Sequence, residues 1–138
     1  MIRSKHLRVG AAAGTVVISL VALAGCSGKT SVSGKVTFDG KSVDDRGVIS
    51  FRPVGQGRPV AGEIKGGMYY LDVDKGLTAG TYKVEVYWKQ KGKEVRSSDP
   101  PNKQYQMNEI IPRKYNTETT LMADIKPGSN SKDFDLPK

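Results

Sequence analysis

The chain has 138 residues, with 22 Lys and Arg against 14 Asp and Glu, for a formal net charge of +8. This length permits one domain, or a small domain with an appendage. The one His is His6 and the one Cys is Cys26. From Cys26 onward the chain therefore has no His for catalysis, no His/Cys metal site and no internal disulfide, and we expect no metal and no cofactor.

The first 25 residues have the pattern of an export signal. Residues 1–8 are basic and contain no acid, and residues 9–20 are an apolar run rich in Ala and Val. Such a segment is removed from the mature protein. The remaining 113 residues carry 19 basic and 14 acidic side chains, so the net charge falls to +5. We predict a signal helix over 1–25 and a short tether over 26–31.

The end of this segment resembles the lipobox of bacterial lipoproteins, in which a branched residue and two small residues precede a Cys. These residues are Leu23, Ala24, Gly25 and Cys26. The resemblance implies that signal peptidase recognises the first three. It also implies that Cys26 becomes the mature N-terminus, with a diacylglyceryl thioether on its sulfur and a fatty acyl chain such as palmitate on its amine. Several acyl chains anchor a protein far more firmly than one. Ser27, in place of an Asp, favours the outer membrane over the inner membrane.

Two other interpretations of the segment are an uncleaved transmembrane helix and an ordinary signal peptide with an incidental Cys. Residues 9–25 number only 17, which is the lower limit for crossing a bilayer. Residues 27–31 reach at most ~18 Å, so a domain that begins at residue 32 is expected to lie close to its membrane.

The first half of the following domain alternates between apolar and polar residues, which is typical of β-strands. Val32 to Phe38 is a predicted strand, and Asp39-Gly40 is a tight turn. A second short strand covers 48–51. The runs 60–64 and 68–73 are predicted to form a hairpin about a Gly-Gly turn, with Tyr69, Leu71 and Val73 on one face of the second strand.

The second half contains the clearest strand, Thr81 to Trp88. Its even-numbered residues from Tyr82 onward are apolar, and Lys83, Glu85 and Tyr87 are predicted to face solvent. A final hairpin joins 121–125 to 134–136. Short strands with Gly and Pro turns and no amphipathic helix predict an all-β antiparallel Greek-key β-sandwich of about seven strands over 32–138.

Tyr82 is expected to have a structural role. It begins a strand just after the turn that contains Gly80. This placement is typical of a tyrosine corner, in which the hydroxyl bonds to backbone a few residues upstream.

Several segments together resemble the carboxypeptidase regulatory-like, or transthyretin-like, β-sandwich family, and some resemble its small bacterial lipoproteins. They are residues 33–41, 50–53, 76–84, 111–116, 126–130 and 134–136. The resemblance implies a non-catalytic accessory or adhesion module. Transthyretin-like hydrolases of a purine-breakdown intermediate need active-site His and a characteristic C-terminus, both of which are missing after Cys26. We therefore predict that the protein is not an enzyme.

The sequence gives little support for a Lys–Asn isopeptide crosslink or for a calcium site. A Lys–Asn crosslink would need Lys35 and Glu85 with Asp133 or Asp135, but the alternation turns Lys35 and Glu85 toward solvent. The close acid pairs, 44–45 and 72/74, offer too few oxygens for calcium.

The long stretch between Trp88 and Thr120 is the candidate binding segment. It has a net charge of +3 and interleaved aromatic residues. The predicted ligand contacts are Trp88, Tyr105, Arg113, Lys114 and Tyr115, for an anionic or carbohydrate partner. The structural alternative is a strand end and turn over 89–94 with Val95 returning, followed by residues 110–112 packed on the sandwich edge and a short connector at 113–116.

These observations favour a lipid-anchored protein of the cell envelope with a structural or binding role. The first alternative is a carbohydrate- or polymer-binding module that uses residues 88–120. The second is an accessory subunit that docks on a protein partner by adding a strand to a sheet edge. Export separates the protein from nucleic acid, so the basic residues are expected to meet anionic lipid or an envelope polymer.

Overall fold

The computed structural model describes residues 29–95 and 103–138. The predicted signal peptide, the lipobox residues Leu23, Ala24 and Gly25, and the lipidation site Cys26 lie outside the described residues. Within the two described ranges, no helix is long and apolar enough to cross a membrane.

The described residues form an all-β sandwich, as predicted. Seven of its ten strands have four or more residues. The strands are β1 (Ser31–Phe38), β2 (Lys41–Ser42), β3 (Gly47–Pro53), β4 (Val60–Ile64), β5 (Met68–Asp72), β6 (Gly80–Val95), β7 (Gln104–Glu109), β8 (Met122–Ile125), β9 (Ser129–Ser131) and β10 (Phe134–Leu136). Two short 3₁₀ helices, Val73–Lys75 and Arg113–Tyr115, complete the described elements.

Sheet 1 is built around β1. One edge of β1 pairs antiparallel with β5 and β2, and the other edge pairs parallel with β9 and β10. Because each partner covers only part of β1, four short strands together occupy both of its edges.

Gly34 sits where β9 gives way to β10 beside β1. A Cβ at this position would overlap the backbone carbonyl of Lys132. That carbonyl accepts a 2.7 Å hydrogen bond from the Tyr69 hydroxyl, and the Lys35 N–H donates to Asp133 Oδ1 at 2.7 Å. The missing side chain of Gly34 therefore lets the C-terminal segment approach β1 closely enough to pair with it.

Sheet 2 is built around β6. One edge pairs with β3, which in turn pairs with β4, and the other edge pairs with β8 near the start of the strand and with β7 near its end. Between these two partners, the Val84 N–H donates to the Leu121 carbonyl at 2.9 Å, and the Ile110 N–H donates to the Trp88 carbonyl at 2.9 Å.

Two predicted hairpins, 60–64 with 68–73 and 121–125 with 134–136, are wrong in their strand pairing. The predicted Gly66-Gly67 turn is present, since Lys65 and Met68 exchange backbone hydrogen bonds of 2.9 and 3.0 Å. β4 belongs to sheet 2 and β5 to sheet 1, joined by a single bridge between Lys65 and Met68. β8 and β10 are likewise in different sheets. In both cases the chain crosses from one sheet to the other between the two strands, so each strand contributes its apolar face to a different sheet. Alternation of apolar and polar residues identifies strands, but it does not determine which strands pair.

The end of β5 also differs from the prediction. The strand stops at Asp72, and Val73 begins a 3₁₀ helix instead of continuing the apolar face. Asp72 Oδ1 caps this helix by accepting from the N–H groups of Asp74 and Lys75 at 3.1 and 3.3 Å. A local cap of this kind stabilises the turn in place of another strand residue.

The core fills the space between the two sheets. Its centre is the ring of Phe51, which lies 5.9 to 6.3 Å from the rings of Tyr69, Tyr82 and Phe134 in tilted and edge-on arrangements. The buried apolar side chains around it come from both sheets, from the 110–116 connector and from the loops after β2 and after the first 3₁₀ helix. They are Val32, Val36, Phe38, Val43, Ile49, Val60, Ile64, Leu71, Leu77, Val84, Val86, Trp88, Ile111, Ala123, Ile125 and Leu136.

The two central strands start at the same end of the sandwich. The Ser31 N–H donates to the Gly128 carbonyl at 3.0 Å, and Gly80 pairs with Ile125 in the adjacent strand. β1 ends at the far side of the sandwich, whereas the 16-residue β6 continues beyond it for a total of about 50 Å. The second half of β6 therefore projects from the end opposite to Ser31.

Candidate functional site

The projecting half of β6 pairs with β7 to form a two-stranded ribbon. Pairing runs from Lys89 with Glu109 to Val95 with Gln104, with one irregularity between Lys91 and Glu94. Much of the predicted long connection is therefore regular β-structure. The structural alternative is wrong about the turn, because Val95 still belongs to β6 and the returning strand begins at Gln104.

The base of the ribbon is fastened to the sandwich by a side chain. Glu109 Oε1 accepts from the N–H groups of Trp88 and Ile111 at 2.8 and 3.0 Å. Ile111 is buried in the core, and Ile110 packs against it. The carboxylate thus holds the point at which the chain leaves the ribbon and returns to the sheet.

Trp88 is wrong as a predicted ligand contact. Its side chain is only 6% exposed and belongs to the core. The indole Nε1 donates to Asp44 Oδ1 at 3.0 Å, so its polar atom already has a partner. Burial on the inner face of β6 places this ring out of reach of any ligand on the surface.

The other four predicted contacts do not gather into one surface. Tyr105 lies opposite Glu94 on the ribbon, about 20 Å along β6 from the sandwich end at Trp88. Arg113, Lys114 and Tyr115 form the 3₁₀ helix of the connector.

Within that connector, the three side chains have local partners. The Tyr115 hydroxyl donates to the Pro137 carbonyl at 2.7 Å, and Lys114 Nζ lies 4.8 Å from the centre of the Tyr115 ring. Arg113 pairs with Glu118 at 2.8 Å. The Tyr115 bond joins the connector to the C-terminal residues, and the other two contacts are local to residues 113–118.

A different set of side chains lines the outer face of sheet 2, and we call this set the outer strip. Alternation puts the odd-numbered residues of β6 up to Lys91 on this face, and the strand register places residues of β3 and β7 beside them. The outer strip consists of Arg52, Lys83, Glu85, Tyr87, Lys89, Lys91, Tyr105 and Met107.

The prediction that Glu85 faces solvent is wrong in one respect. Glu85 does lie on the outer face, but it is only 8% exposed. Its two carboxylate oxygens accept from Arg52 Nε at 3.0 Å and Nη2 at 3.4 Å, and from the Tyr87 hydroxyl at 3.1 Å. One of these partners, Arg52, comes from the neighbouring strand β3, and a pattern within β6 alone does not reveal such a partner.

The Arg52–Glu85–Tyr87 cluster has defined electrostatics. The hydrogen bond to Glu85, with its charge, raises the pKa of Arg52, and burial followed by the same carboxylate raises the pKa of Tyr87. Tyr87 therefore remains a neutral hydrogen-bond donor, and Arg52 remains a cation. Because the Arg52 side chain is 55% exposed, solvent screens the ion pair.

A shallow cavity of about 480 Å³ lies beside this cluster. It is lined by Arg52, Lys83, Glu85, Tyr87, Thr117, Glu118 and Thr119. The lining offers cations, hydroxyls and carboxylates next to a half-buried aromatic ring. Such groups are suited to a ligand rich in hydroxyl and carboxylate oxygens.

A larger groove of about 880 Å³, which was not predicted from the sequence, lies between β4 and β5. Met68 and Tyr70 are 51% and 56% exposed at its wall, and Glu63, Lys65 and Lys75 add mixed charge. The signal was present in the sequence, because Met68 and Tyr70 alternate with the buried Tyr69 and Leu71.

Tyr82 makes the kind of contact that a tyrosine corner requires. Its hydroxyl donates to the Thr78 carbonyl at 2.9 Å, and its oxygen accepts from the Thr78 N–H at 3.3 Å. The ring packs in the core against Phe51. The pair of bonds ties the turn before β6 to the first residues of the strand.

The geometry does not support the crosslink or the metal pairs. Lys35 lies on β1 of sheet 1 and Glu85 on β6 of sheet 2, each on the outer face. In residues 29–95 and 103–138 no three His, Cys, Asp or Glu side chains converge as a metal site. Asp44 accepts from Trp88 and Asp72 caps a helix, so both have structural partners.

Comparisons with known proteins add no relative. No family model matches the chain, and no curated protein is significantly similar to it.

Proposed function

We propose that this protein is a lipid-anchored component of the bacterial cell envelope whose β-sandwich is a non-catalytic binding module. The observation that carries the proposal is the position of the lipobox-like residues relative to the fold. Cys26 stands five residues before Ser31, where β1 begins. A lipid on Cys26 would hold the start of the sandwich within ~18 Å of the membrane.

We further propose that the sandwich is of the carboxypeptidase regulatory-like, or transthyretin-like, kind and that the protein is exported to the outer membrane. Two sheets with central strands β1 and β6 are compatible with this assignment. The bond between Tyr82 and Thr78, at the motif 76–84 that carries the resemblance, supports it as well. Ser27 after the Cys supports the outer membrane.

The chemistry of the domain supports binding in preference to catalysis. The chain after Cys26 has no His and no second Cys. Its best-organised polar cluster pairs Glu85 with Arg52 and Tyr87, which is an arrangement of fixed donors and acceptors without a nucleophile beside a base. Fixed hydrogen-bonding groups on a sheet face suit the recognition of a ligand.

The proposal is tested by the chemistry of Cys26. Metabolic labelling with a palmitate analogue and the mass of the N-terminal peptide are measured for the wild type, Cys26→Ser and the neighbouring control Ser27→Ala. We expect label and an acylated N-terminal Cys in the wild type and the control. Cys26→Ser is expected to lose the label and to leave the membrane fraction or remain as the uncleaved precursor. An unmodified Cys26 in the wild-type protein would contradict the proposal.

A further inference from the structure

We propose that the outer strip is a binding site for a linear anionic polysaccharide of the envelope. This inference rests on the proposed function for the location of the protein, and it names the ligand class of the binding module. The site differs from the one predicted from the sequence, because it uses the outer face of β6 in place of Trp88 and the connector.

The shape of the outer strip fits an extended chain. Side chains two residues apart on a strand are about 7 Å apart, so Lys83 to Lys91 covers about 26 Å in a straight line along β6. The ribbon continues this line with Tyr105 on β7. A long, shallow row of contacts matches a polymer better than a compact small molecule, which takes a deep apolar pocket.

The charge of the outer strip favours an anion. It carries the cations Arg52, Lys83, Lys89 and Lys91. Three carboxylates lie on the same face, and each has a partner. Glu85 is held by Arg52, Glu109 accepts from two backbone N–H groups, and Glu94 pairs with Lys103 at 3.5 Å. Lys89 and Lys91 are exposed, so the row presents a positive field to solvent.

Two tyrosines give the strip rigid flat surfaces. The Tyr87 hydroxyl is fixed on Glu85 at 3.1 Å, and the Tyr105 ring lies 3.7 Å below Lys91 Nζ. Both rings are half-buried. Tyrosines held in this way offer a large amphipathic contact at low entropic cost, and they can receive the faces of sugar rings between the bound carboxylates.

The orientation of the strip favours a polymer over the anchoring membrane. Lys91 is about 36 Å along β6 from Gly80, which lies at the same end of the sandwich as Ser31. A five-residue tether of at most ~18 Å leads from Cys26 to that end. A domain standing on this tether directs the ribbon away from its own bilayer.

The test uses the intact lipidated protein in non-ionic detergent and measures binding to immobilised polygalacturonate by biolayer interferometry. Dextran is the neutral reference polymer. The double variant Lys89→Gln/Lys91→Gln removes two charges from the strip. Its matched control, Lys35→Gln/Lys41→Gln, removes two exposed charges from sheet 1.

We expect wild-type binding that weakens with salt, a loss of about tenfold in the strip variant and little change in the control. A second pair, Tyr105→Ala against the exposed Tyr70→Ala, is expected to weaken binding only at Tyr105. Equal losses in the two double variants, no binding to polygalacturonate, or equal binding to dextran would overturn the proposal.

Vesicles of phosphatidylglycerol form the remaining arm of the test. Binding to these vesicles that depends on Lys89 and Lys91, without binding to polygalacturonate, would assign the strip to a membrane surface and overturn the polysaccharide. Because binding in detergent does not require a particular location, failure here is distinct from failure of Cys26 acylation.

Discussion

The two central strands, β1 and β6, have similar sequence patterns but different surroundings. Each alternates apolar and polar residues, and each buries its apolar face in the same core. β1 is paired on both edges by four short strands and does not extend past the sandwich. β6 extends beyond the sandwich, and its charged face there is exposed to solvent. Two strands with the same alternation therefore have different roles, which depend on the strands that pair with them. β1 is the enclosed central strand of sheet 1, and β6 exposes the outer face of its second half to solvent.

The largest expected effect comes from a substitution that disrupts the pairing of the C-terminal segment with β1. In Gly34→Ala the new methyl group overlaps the Lys132 backbone carbonyl, which cannot move without breaking the pairing of the C-terminal segment. We expect a loss of about 3 kcal/mol or more in the free energy of unfolding, measured by urea denaturation.

The control for this substitution is Gly55→Ala. No atom outside its immediate chain neighbours lies within 4 Å of a Cβ at position 55, so the same added methyl group should change stability by less than about 0.5 kcal/mol. If the two alanine variants were equally stable, the close approach at Gly34 would not be needed to close sheet 1.

The next effect is a loss of stability at alkaline pH that arises from Tyr69, a buried side chain of β5 in sheet 1. Burial, with a smaller contribution from Asp133, raises the pKa of Tyr69 well above its ordinary value. The contribution of the neutral Tyr69 hydroxyl to the free energy of unfolding is complete below the unfolded-state pKa of about 10. This contribution is lost as the pH rises toward the folded-state pKa. The slope is up to about 1.4 kcal/mol per pH unit.

The slope is checked by measuring the free energy of unfolding with urea between pH 8 and 12, in steps of about one pH unit. Tyr69→Phe is expected to be less stable at neutral pH, because it loses the bond to the Lys132 carbonyl, but to show a flatter alkaline decline. Tyr70→Phe, at an exposed site, should keep the wild-type slope. An unchanged slope in Tyr69→Phe would assign the decline to other groups.

The smallest effect compares two tyrosine hydroxyls on the two faces of β6. Tyr82→Phe removes the contacts of this hydroxyl with the N–H, the carbonyl and the side-chain oxygen of Thr78, and is expected to cost about 1–2 kcal/mol. Tyr87→Phe removes one bond to Glu85, which keeps Arg52 as a partner, and should cost less than about 1 kcal/mol. Thermal unfolding of both variants measures the order, and a larger cost at Tyr87 would contradict it.

The sequence was sufficient to predict the fold class and the strands that alternate. Val32 to Phe38 and Thr81 to Trp88 lie within β1 and β6, because the burial of alternate side chains is a local property of the strand. The upstream bond of Tyr82 also spans only four residues, so a short motif was enough to expect it.

The parts that could not be predicted depend on residues distant in sequence. Asp133 bonds Lys35 across 98 residues, and the partners of β4, β5, β8 and β10 are set by which sheet each one joins. Glu85 is held by Arg52, which is 33 residues away in sequence. The basic segment that follows Trp88 favours a ligand contact, yet the alternation of β6 places this side chain on the inner face.

Amide hydrogen exchange of the intact protein, with and without polygalacturonate, tests most directly whether β1 closes the fold and β6 presents the binding surface. Without the polymer, we expect slow exchange in β1 and in residues 80–88, and faster exchange in residues 89–95 and β7. Adding polygalacturonate should slow exchange in the ribbon and leave β1 unchanged. Protection that appears in β1, or around the groove between β4 and β5, with none in the ribbon would contradict this account.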